Sequence, residues 1–325
     1  MKVGTFFSGV GSPEQALKNL GIKHEVEFAC DIDKYAKQTY LKNFKPKLFA
    51  TDITALDMKD LPYVDLLVFG FPCQAFSMAG KRQGFEDTRG TLFYDALRYL
   101  KEHRPRYFIA ENVKGLLSHD NGKTFQTIID CLAKTTNYQM SLMPFDNLDY
   151  HIHYKVLNTK DFGIPQNRER IFIIGIRDDE DNNFNFPKEI PLELKLKDIL
   201  QDNTNSKYYL SEEQQQRLLD RTDVDIKNVD EPTCLDVYNK KLVKDTSICL
   251  TEPHHNNLRL VESIADYRSV NAVNKKHPMY GRYNKTPNIS SCLNSVDLMG
   301  VQYKSRIRRL TPIECERLQG FPDNW

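Results

Sequence analysis

The sequence predicts a doubly wound α/β fold, and three observations carry that prediction. Short apolar runs alternate with amphipathic stretches through the first half of the chain. Two of the runs, Asp65–Phe69 (DLLVF) and Tyr107–Ala110 (YFIA), are continuously apolar, as strands buried on both faces of a parallel sheet are. The segments with chemical character follow strands, at the edge where such folds bind ligands.

Taken in order, Val3–Phe7 reads as the first strand, and a glycine turn leads into a helix from about Pro13 to Leu20. Val26–Ala29 is a second strand with a helix behind it. Asp65–Phe69 and Tyr107–Ala110 follow, each separated by helical segments, which implies a mostly parallel sheet. Ile171–Ile176 (IFIIGI) is the last clear strand. From Asp178 the texture changes: DDEDNN is a polar linker, and Pro187 and Pro191 break regular structure. Residues 186–300 read as a smaller, irregular second domain. Arg306–Asp323 reads as a compact segment returning to the large one. The expected domains are therefore 1–185, 186–300 and 301–325.

Composition sets bounds. The 325 residues carry 45 Lys and Arg against 44 Asp and Glu, a formal charge of +1. That balance neither demands nor excludes a nucleic-acid partner, because a cleft needs only a local basic surface. The 7 cysteines stand singly with no Cys-x-x-Cys pair, which argues against a disulfide framework and against a zinc site. No metal is expected. The N-terminal residues do not form a signal peptide, and no apolar stretch has transmembrane length. A cytoplasmic protein with no membrane partner is expected.

Phe7-Ser-Gly-Val-Gly-Ser12 lies between a strand and a helix. Gly9 and Gly11 would let backbone approach a ligand, and the helix N-terminus favours polar or anionic groups. Alone, such a turn is usually only a turn. Asp31 strengthens it, since an acid about twenty residues further on commonly meets ribose hydroxyls; a solvated helix-start aspartate is the plainer alternative. Asp52, in Thr51-Asp-Ile53, repeats the pattern.

The strongest signal is Gly70-Phe-Pro-Cys-Gln-Ala-Phe-Ser77, immediately after a strand. Six cysteines read as small buried hydrophobes. Cys73 differs: Pro72 fixes the turn and the strand end aims the side chain at the ligand crevice. Glu111-Asn-Val113 follows Tyr107–Ala110, and Gln166-Asn-Arg-Glu-Arg170 precedes Ile171–Ile176. A nucleophile, an acid and a guanidinium thus converge on one edge.

FSGVGS, TDIT, GFPCQAFS, GTLFYDALR, ENV, QNRER and RRLTPIECERLQGFPD stand here in the motif order of the DNA (cytosine-5) methyltransferases, which the chain resembles from Val3 onward. The resemblance implies a Rossmann-like catalytic domain dependent on S-adenosylmethionine, with S-adenosylhomocysteine as product. It implies methyl transfer to carbon 5 of a flipped-out cytosine in a specific sequence of double-stranded DNA. Cys73 would be the nucleophile at carbon 6, activated by a helix terminus or a nearby cation. Glu111 would hold N3 and the exocyclic amine, Arg170 the carbonyl oxygen, and Arg168 a supporting position. Phe7, Gly9, Gly11, Asp31, Ile32, Asp52, Ile53, Phe71, Pro72 and Leu92 would line the cofactor pocket. Asp31 stands where the family commonly has Glu. Ala75–Thr91 is similar to the family's mobile loop, and residues 186–300 to its target-recognition domain. A monomer of bacterial or phage origin is the family default.

The resemblance stops short of the family's terminal motif, which is similar to Gly-Asn-Ser-Val. The expectation is a chain that lacks it, because a second polypeptide supplies it, the chain is truncated or it functions without it, with weak cofactor binding and poor stability of the isolated chain. Two other readings stay open: a non-catalytic DNA-binding subunit, and a tRNA cytosine-5 methyltransferase. The latter carry a Cys-Phe-Thr signature in the variable region, whereas Cys234 and Cys249 are each followed by Leu.

Overall fold

The computed structural model describes residues 1–72, 92–133, 148–202, 204–226, 229, 231–250, 258–269, 283–284 and 299–325, with backbone only for 263–269, 283–284 and 299–305. Two compact units emerge. One comprises residues 1–158, 169–188 and 325; the other comprises 159–168 and 189–324.

In the first unit, strands β1 (Lys2–Phe6), β2 (Glu25–Cys30), β3 (Leu48–Ala50), β4 (Leu66–Phe69) and β5 (Tyr107–Val113) are parallel. β6 (Tyr150–Asn158) and β8 (Glu169–Arg177) complete the sheet in the order β3-β2-β1-β4-β5-β8-β6, with β8 antiparallel to both its neighbours. Helices α1 (Ser12–Asn19), α2 (Lys34–Asn43), α3 (Leu92–His103) and α4 (Lys123–Leu132) connect the parallel strands or flank them. This is the doubly wound, mostly parallel architecture that the sequence predicts. Strand order reverses between β1 and β4, so the ligand crevice of such a sheet falls at their carboxyl ends.

Aromatic packing fixes the sheet's core. Phe6, Phe28 and Tyr99 are at most 1% exposed, with ring centroids 5.1–5.6 Å apart. Rings of this size bury large apolar areas and lock in tilted or edge-on pairs.

Two elements differ from the sequence reading. β5 runs on to Val113, because Glu111, Asn112 and Val113 pair with Phe172, Ile171 and Arg170 of β8. Glu111 therefore stands on a strand rather than in a loop after one. β6 has no simple apolar pattern (YHIHYKVLN), since as an edge strand it is mostly half-buried or exposed.

Residues 186–300 read as irregular, yet the second unit holds an antiparallel sheet. It contains β9 (Thr233–Asp236), β10 (Lys241–Val243), β12 (Leu258–Ser269), β13 (Tyr283–Asn284) and β14 (Met299–Arg308). The register of β12 with β14 runs from Leu260↔Arg308 to Ser269↔Met299. A second small pair joins β7 (Gln166–Asn167) to β11 (Ser247–Ile248). Helices α5 (Glu212–Thr222) and α6 (Pro312–Arg317) belong to the same unit. The strands escape a sequence reading because they are short, or far apart in sequence, and only pairing completes them. Among the described residues, no helix is long and apolar enough to cross a membrane.

Candidate active site

The turn after β1 is built to be held from below. Phe7 and Gly9 take the left-handed φ values 55° and 54°, and Gly11 takes 91° as the N-cap of α1. Ser8 is the anchor. Its Oγ accepts from Cys30 N at 3.0 Å, and its backbone N donates to Cys30 O at 3.0 Å, tying the turn to the end of β2. A side chain at Gly11 would strike the Phe44 ring at 2.3 Å, whereas one at Gly9 would meet no atom within 4 Å. The turn is thus closed at Gly11 and open at Gly9.

Asp31 adds a second hold. Its Oδ2 accepts from Gly9 N at 2.7 Å and its Oδ1 from Asp33 N at 2.8 Å. The residue expected to meet a ribose therefore also fixes the glycine turn. Ile32, beside it, is 74% exposed. Asp52 accepts from the Thr54 hydroxyl at 2.7 Å and amide at 2.9 Å, and these bonds hold its carboxyl below the usual carboxylate range. Ile53, next in line, is 4% exposed in the core. Leu92, which opens α3, is half-buried against the same core.

At β4 and β5, Phe71 is 3% exposed and packs against Phe69 and Phe93 at 6.0 and 5.3 Å between centroids. Pro72 is exposed. Cys73 and the stretch Ala75–Thr91 lie outside the described residues. Glu111 Oε1 and Arg170 Nε form an ion pair at 3.0 Å, with side chains 30% and 18% exposed. Gly70 leaves room for that carboxylate, since a Cβ there would come within 3.2 Å of Glu111 Oε2.

Sequence reasoning missed Asn112. Its Nδ2 donates to Phe71 O at 2.8 Å, fastening the end of β5 to the residue two before Cys73. The only sequence signal was its place between Glu111 and Val113. Reasoning also missed the buried set beneath the turn: Glu14 Oε1 accepts from Thr5 Oγ1 at 2.9 Å and from the Tyr40 hydroxyl at 2.5 Å. Nothing in the sequence distinguishes Glu14 from an ordinary first-turn glutamate.

The structure brings Asp31 to Gly9 and Arg170 to Glu111. Arg168 falls in the other unit, where its Nη1 donates to Cys249 Sγ at 3.3 Å.

The sequence model of the family described as C-5 cytosine-specific DNA methylase matches residues 1–325. The chain belongs to that family. It is 32% identical to an orphan methyltransferase, M.SPRI, of Bacillus phage SPR, over 99% of this chain and 89% of the relative. It is 34% identical to the type II methyltransferase M.Bsp6I of Bacillus sp. (strain RFL6), over 100% of this chain and 89% of the relative. Among solved structures, a Spodoptera frugiperda DNMT2 mutant shares the fold with a TM-score of 0.63 at 18% identity, covering 99% of this chain and 88% of that one. An S. pombe Dnmt2 methyltransferase does so at 0.58 and 18%, covering 99% and 87%.

The chain is therefore a DNA cytosine-5 methyltransferase, of a family that uses S-adenosylmethionine. The crevice fits such a group. An open glycine turn, an acid at the end of β2 and a solvent-facing Ile32 offer backbone, a hydroxyl acceptor and an apolar face.

Proposed function

We propose that this enzyme methylates carbon 5 of a flipped-out cytosine in a specific duplex sequence, through a covalent bond from Cys73 to carbon 6. The observation that supports this most is the Glu111–Arg170 ion pair at the carboxyl end of β5. Asn112, on the same strand end, holds the backbone that leads into Cys73.

Carbon 5 of cytosine is a poor nucleophile. Addition of the Cys73 thiolate to carbon 6 moves the ring's electron pair toward carbon 5 and splits one hard step into easier ones. Glu111 holds N3 and the exocyclic amine, while Arg170 reaches the carbonyl oxygen and orients the Glu111 carboxylate. Arg168 is a supporting residue that acts through its own unit. Phe7, Gly9, Gly11, Asp31, Ile32, Asp52, Ile53, Phe71, Pro72 and Leu92 would hold S-adenosylmethionine, which when bound would supply an electrophilic methyl group, with S-adenosylhomocysteine as the product. Loss of the carbon-5 proton then lets the sulfur–carbon bond break, restoring the ring and the thiolate. The target base must leave the stack first, at about a few kcal/mol, repaid by pocket and groove contacts. Residues 1–185 form the catalytic region and 186–300 the target-recognition region. The enzyme acts as a monomer on bacterial or phage DNA in the cytoplasm.

The test is a trap. Duplex DNA containing 5-fluorocytosine in many contexts is incubated with S-adenosylmethionine and the chain, or its Cys73→Ala variant. A denaturation-resistant adduct lost in the variant is expected, and its DNA reports the target site. An adduct that survives Cys73→Ala overturns the assignment. Repeating the trap with a peptide carrying the family's terminal motif tests for a second polypeptide.

A further inference from the structure

The turn joining β9 to β10 serves none of the chemistry above. Asp236, 2% exposed, closes it from within. Its Oδ1 accepts from Tyr238 N at 3.1 Å and Asn239 N at 3.0 Å, and its Oδ2 from Asn239 Nδ2 at 2.7 Å. Lys240 follows in the left-handed region, φ 52°, and Lys241 pairs back with Asp236. A carboxylate spent on three donors makes the turn stiff and directs its charge inward.

What the turn holds outward is unusual. Tyr238 is 78% exposed, more than any other large hydrophobic side chain among the described residues. Asn239, Lys240 and Lys241 are exposed beside it. Nearby lysines of the same unit have acidic partners: Lys195 with Asp245 at 3.4 Å, Lys197 with Glu231 at 3.5 Å, and Lys244 with Glu231 at 3.9 Å. Lys240 and Lys241 have no such partner among the described residues. A chain of net charge +1 that acts on a polyanion must concentrate its basic contacts locally.

We propose that this turn is a contact for the sugar-phosphate backbone of duplex DNA. Lys240 and Lys241 face phosphates, and Tyr238 packs on the intervening sugar with its hydroxyl toward a phosphate oxygen. The proposal rests on the reading of the chain as an enzyme of duplex DNA. Contacts of this kind position a protein on DNA without reading its sequence. A stiff turn suits that task, because little side-chain and backbone freedom is lost on binding.

The test is equilibrium binding of the full chain to two labelled duplexes of unrelated sequence, across a range of salt, alongside steady-state methyl transfer. Lys240→Ala/Lys241→Ala is expected to weaken binding about tenfold on both duplexes and to lower the slope of log affinity against log salt by about 2. Tyr238→Ala is expected to weaken both about fivefold with the slope unchanged, raising KM for DNA and leaving kcat in place. Lys197→Ala, which removes a paired charge, should stay within about twofold. Unchanged slope and affinity in the turn variants, while the wild-type chain binds and methylates, overturns the proposal. So does weakening on one duplex only, which marks a base-reading contact. A wild-type chain that neither binds nor methylates duplex DNA overturns the functional reading itself.

Discussion

Glu14 and Glu314 occupy the same helical position, third after the N-cap, at the start of α1 in one unit and of α6 in the other. Both are 0% exposed, yet their carboxyls are shifted in opposite directions. Burial pushes the Glu14 carboxyl up, and the bonds from Tyr40 and Thr5 do not overcome it; its Oε2 has no hydrogen-bond partner among the described residues. Burial also pushes on Glu314. There the fully buried Arg308, with the backbone donors of Gln201 and Thr311, wins and holds the carboxyl below the ordinary range. Arg308 reaches Glu314 at 2.7 and 2.8 Å and Glu262 at 2.9 Å. The lesson is that neutral donors do not offset desolvation of a carboxylate, whereas a bidentate cation with further donors does.

The largest break in this comparison is at Arg308. Arg308→Met leaves two acids without their cation, one of them fully buried, and should destabilise the fold by about 3–5 kcal/mol. Denaturant unfolding reads it, and adding Glu314→Gln should recover part of the loss. A loss within about 1 kcal/mol would mean that Glu314 does not need its counter-ion.

The caps differ as well, and their contrast gives a smaller effect. Thr311 caps α6 with its hydroxyl on Glu314 N at 3.2 Å, while Gly11 caps α1 through backbone conformation alone. Gly11→Ala should cost about 2 kcal/mol, from its positive φ and the crowding of Phe44. Thr311→Ala should cost about 1 kcal/mol. Thermal unfolding that reverses this order would place the side-chain bond above the backbone in importance.

The smallest and sharpest test is the pH dependence of stability. Glu314 titrates lower when folded, so its contribution is full above the ordinary glutamate value of 4.5 and is lost as pH falls through the folded value. Glu14 titrates higher when folded. It carries no penalty in acid and destabilises increasingly as pH rises from 4.5 toward its folded value. Glu314→Gln should therefore weaken the protein at neutral pH more than in acid. Glu14→Gln should be neutral in acid and stabilising at neutral pH. Parallel pH profiles for the two variants would show that the two sites are electrostatically alike.

Much of the candidate site could be nominated from the sequence because its motifs are local. Gly9, Asp31, Glu111 and Arg170 sit at strand ends, and period and spacing find strand ends without any tertiary contact. What stayed hidden depends on residues far apart in sequence. Asn112 holds Phe71 across 41 positions and Glu14 meets Tyr40 across 26. Arg168 has its thiol partner 81 positions away. The ordered antiparallel sheet within 186–300 was hidden for the same reason, since β12 and β14 gain their meaning only as a pair.

By itself the sequence determined the doubly wound fold, the family and the residue types gathered at the carboxyl edge. Alternation of apolar runs and the content of short motifs are properties of contiguous chain. Only the tertiary structure decided that β5 carries Glu111, that Asp31 fastens the turn it was expected to serve, and which way the surroundings shift each buried glutamate. Those outcomes depend on desolvation and on the distance to a partner, and both exist only once the chain has packed.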